Sequence, residues 1–283
     1  MAAVRNKKRR YLLILLLILL LRFLPLGFVE KQAHVRPDYP KEDLSRLLEK
    51  DRFSDQDYQT IYQQSGLGKT AVDKLLEREN GKKSILNFQE KFFQKVKIVC
   101  EPNSIISNEE RLVDDRGKTV QGTQFADLQN GYVLLTKSSH TFWWRNGHAA
   151  IVVDAERGET LESVVLGSNS CIQDVNKWLN YPNFIVLKLK DADPLLLDRI
   201  ASFAKTYLND IPYALTSGVF RKKYEPSAEI SGTQCAHLIW RAFIEYGFDL
   251  DSNGGSIVTP KDIVNSQLFE VVQLYGMHPR RPW

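Results

Sequence analysis

The 283 residues are 43% apolar and 25% charged, the balance of a globular protein with one good core and an appendage. The formal net charge of +4 does not describe that core, because Arg5, Lys7, Lys8, Arg9, Arg10 and Arg22 carry +6 and residues 23–283 therefore sum to −2. With the cations confined to one end, the composition argues against a nucleic-acid partner.

That end reads "VRNKKRRYLLILLLILLLRFLPLGFVEK". As a helix, residues 11–29 would span roughly 28 Å, about a bilayer core. A cleaved secretory signal fits the basic start, but no Ala-x-Ala pattern follows "LPLGF". The expectation is an uncleaved signal-anchor at 11–29 with a cytoplasmic basic tail at 1–10, Arg22 snorkelling near the outer end and the rest of the chain outside the cell membrane. A buried soluble helix would need a polar face, and none is marked.

After a short linker at 36–43, the apolar positions from Leu44 to about Val96 recur at helical spacing, with "SGLG" at 65–68 breaking two of the helices. A helical module is expected over 30–104. "SGLGKTAV" imitates a phosphate loop, but Gln63 stands where the first glycine belongs. The same stretch has the rhythm of a helix-turn-helix, which its place beyond the apolar segment opposes. A packing role is the better reading.

From 105 the texture turns to short β-rich runs: "GYVLLTKS", "HAAIVVD", "ETLESVV" and "NFIVLKLK". "DADPLLLDRIASFAKTYLND" is a helix capped by Asp193 with Pro194 at its first position and a buried stripe of Leu196, Ile200, Phe203 and Tyr207. "TQCAHLIWRAFIEYG" is a second helix, with Cys235 beginning a stripe of Leu238, Ile239, Ala242 and Tyr246. "TPKDI" starts a third at Thr259, and "FEVVQLYG" closes the chain as a strand. Strands followed by separate helices predict an α+β domain over 105–283. "DLDSNGG" at 249–255 matches half a calcium loop, but Pro260 occupies the twelfth position, so an Asx-rich turn is expected.

Cysteines fall at 100, 171 and 235. An odd count in an exported chain suggests at most one disulfide, Cys100–Cys171, with Cys235 left as a thiol. A lone cysteine is commonly a small core residue. In the first turn of a helix, however, unpaired N–H groups and the positive dipole end favour the thiolate, so Cys235 is a candidate nucleophile.

Such a nucleophile needs a base. His237, two residues along the same helix, points elsewhere. His34 and His278 sit in ends expected to be flexible, and His140 in an expected loop. His148 opens the apolar strand "HAAIVVD", where a rigid sheet would orient it. Glu162, on the next strand, is placed to hold the imidazole tautomer, the third role of a cysteine triad. A symmetric turn at 155–158 would pair Glu162 with Ile151, on the wrong face. A bulge, with Gly158 as a candidate, or an odd-length turn is therefore required.

Together "RNGHAAIVVD", "TLESVVLG", "IPYALTSG" and "TQCAHLIWRAF" resemble the NlpC-type papain-like cysteine hydrolases, and within them the permuted YiiX/YebB-like branch, over roughly residues 125–275. The order His148, Glu162, Cys235 is what circular permutation would give. The resemblance implies a papain-like domain, a tyrosine (here Tyr213) assisting the oxyanion site, and Cys235–His148–Glu162 chemistry. It implies cleavage of amide bonds, with cell-wall peptides as substrate. Lipid acyl hydrolysis or acyl transfer on the same fold, or a binding module without catalysis, are the alternatives; "TFWW" at 141–144 would suit acyl chains or glycans. Tyr132 and Asn146 stand where relatives commonly carry an acidic residue and a second histidine. No His/Cys/Asp cluster has metal-ligand spacing, and no cofactor is expected.

Overall fold

A computed structural model describes residues 33–283 except 142–143, 216, 220–221 and 227–229, together with residues 13, 14 and 16. The expected anchor at 11–29 and tail at 1–10 thus lie outside the described residues, apart from those three positions. Among the described residues no helix is long and apolar enough to cross a membrane.

The architecture is α+β with antiparallel sheets. Helices α1 (Asp55–Ser65), α2 (Lys69–Leu76) and α3 (Gly81–Phe93) come first. Then follow strands β1 (Lys97–Pro102), β2 (Ser107–Val113), β3 (Val133–Thr136), β4 (Ser139–Thr141), β5 (His148–Asp154), β6 (Glu159–Glu162), β7 (Cys171–Asp174) and β8 (Phe184–Leu189). Helices α4 (Pro194–Tyr207), α5 (Cys235–Ile244) and α6 (Pro260–Asn265) precede the last strand, β9 (Phe269–Tyr275). Six strands form one sheet in the order β7-β6-β5-β3-β8-β9, and a smaller sheet has the order β1-β2-β4. Both α4 and α5 pack on the central strand β5.

Local chemistry explains the helix starts. Ser54 caps α1 through a reciprocal box with Asp57, Asp193 caps α4 ahead of Pro194, and Thr259 caps α6 ahead of Pro260 with Asp262 returning the bond. The buried stripe of α4 differs from the expected one. It is Leu197, Ile200, Ala201 and Ala204, a small-residue face that lets the helix come close to the sheet. Phe203 and Tyr207 instead stack on each other at the edge, with Tyr246 against Phe203. Helix α5 is buried from Cys235 to Phe243 on every side rather than along one stripe.

The "SGLG" break docks on the large sheet. Gly66 ends α1 at φ 74°, Leu67 bridges Gln273, Gly68 N–H donates to Val272 O at 2.9 Å, and Leu274 N–H donates to Gly66 O at 2.7 Å. This covers the edge of β9, which would otherwise expose unpaired backbone. A Cβ on Gly68 would lie 1.7 Å from Val271 O, so the glycine permits backbone contact.

Two further expectations are corrected. The division at 104/105 falls inside the β1–β2 hairpin, and Leu44, Ile61, Phe88 and Phe92 share one apolar core with the sheet and α5. The helices have no core of their own. No disulfide joins Cys100 to Cys171; Cys100 is exposed on β1 and Cys171 half-buried on β7.

Candidate active site

Cys235 is the first residue of α5 and is 7% exposed. Its helix is fixed by the Gln234 side chain, which accepts from Ala236 N–H at 2.9 Å and donates to Val258 O at 2.7 Å. The thiol Sγ lies 3.6 Å from the same Gln234 Oε1. The N–H of Cys235, at the first helical position, has no acceptor within the helix.

His148 is the first residue of β5, paired with Thr136 of β3. Gly147 before it adopts φ 75°, where a Cβ would collide with Thr136 O and the Trp283 ring. Nε2 of His148 lies 2.7 Å from Glu162 Oε2, and Trp178 stacks on the ring at 5.6 Å and 17°. His148 and Cys235 line the same cleft, and the sulfur is one of the groups that favour charge on the ring. With Nε2 committed to Glu162, Nδ1 is the ring atom left for the sulfur. Burial opposes charge on this imidazole, but Cys235 and Glu162 together overcome it and raise His148 to about 10.

Glu162 is fully buried yet ionised. It accepts from Thr160 Oγ1 at 2.7 Å and from Trp178 Nε1 at 3.0 Å on Oε1, and pairs with Lys177 Nζ at 2.7 Å on Oε2. Burial alone would push its carboxyl up; His148 and Lys177 outweigh that and hold it at about 2. Its placement depends on a bulge. Asp154 pairs with Glu159 as in a symmetric turn, but the register shifts between Val152 and Asp154, so Ala150 meets Glu162. Ala150 is two residues from His148, hence on the same face. The shift lies at Val153, not at Gly158.

Tyr213 is held beside the start of α5 by a parallel bridge to Thr233, with Thr233 N–H donating to Pro212 O and Ala214 N–H to Thr233 O. Burial, then the nearby Cys235, push its phenol upward, so it stays a neutral donor. Cys235, His148 and Tyr213 open on one cleft. One wall is polar and comes from the small sheet: Asn103, Ser107, Asn108, Glu109, Ser139 and His140. The other is apolar: Val164, Val165, Leu166 and Leu215.

The structure thus brings all four sequence-derived residues together, with Glu162 behind His148. It moves the other histidines. His140 is not in a loop but buried on β4, its Nε2 3.1 Å from Glu110 Oε1. Glu110, which burial would push up, is held low by His140 and by Arg145, whose guanidinium grips both carboxylate oxygens at 2.7 Å. His34 and His278 are not in loose ends: His34 contacts Pro182 O and the Tyr275 ring, and His278 accepts from Arg280 N–H. His237 is bonded to Thr233 and Lys223 O, away from the cleft. Asn146 lines the cleft, and Tyr132 is buried with its hydroxyl on Asp127. The carboxylates of 249–251 are taken by protein donors: Asp249 accepts from Trp240 and Asp251 pairs with Lys223, an Asx turn rather than an ion loop. Among the described residues no group of three or more His, Cys, Asp or Glu side chains is arranged to hold a metal.

Lys177 and Trp178 escaped the sequence reading. Their signal is a tryptophan between Val175 and Leu179 in the short stretch "DVNKWLN".

No protein-family model matches the sequence, and no curated protein does. Among solved structures, the chain is similar to the metalloprotein yiiX from Escherichia coli O157:H7, with 11% identity, a TM-score of 0.40, and coverage of 51% of this chain and 96% of that one.

Proposed function

We propose that this chain is a cysteine hydrolase of amide or ester bonds, built on a permuted NlpC-type papain-like domain and held at the outer face of a bacterial cell membrane by residues 11–29. The observation that carries the reading is the linked set Glu162–His148–Cys235 at a helix start, with Nε2 and Oε2 2.7 Å apart and His148 raised to about 10.

The chemistry follows from the protonated ring. Sγ of Cys235, as thiolate, attacks the acyl carbon. The charge that develops on the carbonyl oxygen is met by the Cys235 N–H and the Tyr213 hydroxyl. Nδ1–H of His148 gives its proton to the leaving nitrogen or oxygen as that bond breaks, which leaves a thioester. Water then attacks the thioester while Nδ1 takes its proton, and Sγ departs as thiolate. Cell-wall peptides, whose amides suit the polar wall, are one substrate class. The apolar wall at Val164–Leu166 and Leu215 favours a second, acyl lipids.

Purified protein incubated with cell-envelope extract should accumulate an acyl adduct on Cys235 detectable by mass spectrometry. Cys235→Ala and His148→Ala should fall to background while keeping their circular dichroism. Wild-type turnover in either variant would end this reading.

A further inference from the structure

The mouth of the cleft carries apolar side chains in water. Leu166 and Leu215 line it and are more than half exposed. Ile105, 80% exposed, sits at the tip of the β1–β2 hairpin next to the lining residue Ile106. Trp144, 67% exposed, bridges the lining residue Thr141. Soluble surfaces seldom gather large apolar groups around one opening without an occupant. The occupant is indicated by where the chain enters the fold. Asn183 Nδ2 donates both to Ala33 O and to Ser138 Oγ, and Val35 N–H donates to Gly276 O. Residue 33 is thus tied to the residue before β4, and all three residues of β4 line the cleft. The apolar segment ends at Val29, four residues earlier, and four extended residues reach about 14 Å at most.

We infer that Ile105, Trp144, Leu166 and Leu215 form a lipid-docking rim, which seats the open mouth of the cleft on the bilayer that holds residues 11–29. Tryptophan and aliphatic side chains gain most at such an interface, where the indole N–H stays hydrated and the ring is buried. The inference rests on the proposed hydrolase reading for its consequence: the substrate reaches Cys235 from the bilayer, which selects acyl lipids over cell-wall peptides.

The test uses the full chain reconstituted in phosphatidylcholine–phosphatidylglycerol vesicles, with plain or brominated acyl chains. The Trp144 contribution is taken as wild type minus Trp144→Phe. Brominated chains should quench that contribution, and Leu166→Asp with Leu215→Asp should restore it while the protein stays in the vesicles. Equal Trp144 emission in plain and brominated vesicles would overturn the rim, as would failure of the full chain to insert; a protein or glycan partner at the rim would give that same unquenched result. Iodoacetamide labelling of Cys235, followed in parallel, reports the proposed nucleophile separately, so loss of one result does not carry the other.

Discussion

A carboxylate with no exposed surface, such as Glu162, is held in place by its donors. Thr160, Trp178, Lys177 and His148 each direct a hydrogen at it, and two of them are cations. Removing the charge while keeping the shape isolates its role. Glu162→Gln withdraws the negative partner from His148, so the imidazole should move down from about 10 toward its ordinary 6.5. A nitrogen-15 titration of the ring should show this directly. Turnover should fall by about 10²–10⁴-fold, the usual worth of an oriented acid–base group. The sign for stability is fixed by the same shift. A raised imidazole contributes stability that is full below 6.5 and fades as pH rises through about 10. Wild type should therefore lose urea resistance over that window, and Glu162→Gln should not. An unshifted His148 in wild type would remove the proton donor on which the mechanism relies.

Elements place these groups, and here the sequence was legible in parts. Capping residues at 193 and 259 and the strand runs at 133–136, 148–154 and 184–189 mark local choices that the chain makes by itself. The need for a shifted register between β5 and β6 was also legible, since His148 and Glu162 had to share a face. Its location was not, because Val153 is bulged by pairing and not by a residue type that favours bulges. Strand β1 escapes pattern reading because it is an exposed edge strand with no buried face, and β2 and β4 escape it because their charged and polar residues, such as Glu109, Glu110 and His140, are buried against ionic partners. Pattern reading treats such residues as solvated. "SGLG" marks a break between helices, but its contact with β9 is a long-range fact that no local window holds. That contact is testable. Gly68→Ala places a methyl against the Val271 carbonyl, which cannot move without breaking the bond from Gly68 N–H to Val272 O. The expected loss is about 2–3 kcal/mol in urea unfolding. A loss below ~0.5 kcal/mol would mean the loop does not press on the strand.

At the scale of the whole molecule, the helices at 55–93 look separable by sequence and are not separable by contact. Ile61, Val72, Phe88 and Phe92 are buried in the same cluster as Val133, Val186 and Leu274 of the large sheet. Thr70 donates to Glu270, and Gln89 and Gln64 bond each other beneath the 36–43 segment, where both also hold Glu42. A module with no core of its own has little to keep it folded once detached. The helices and the sheet should therefore unfold together. Hydrogen exchange under native conditions should give the amides of α1 and α3 the same protection as those of β8 and β9, since they open only in the common transition. A chain starting at Lys97 should leave the edge of β9 and the apolar faces of Val272 and Leu274 in water, and so lack a cooperative urea transition. Were α1–α3 to exchange well ahead of β9, or the shortened chain to unfold as sharply as the whole one, the helices would be an appendage, and the position of residue 33 beside β4 would no longer be fixed by the core.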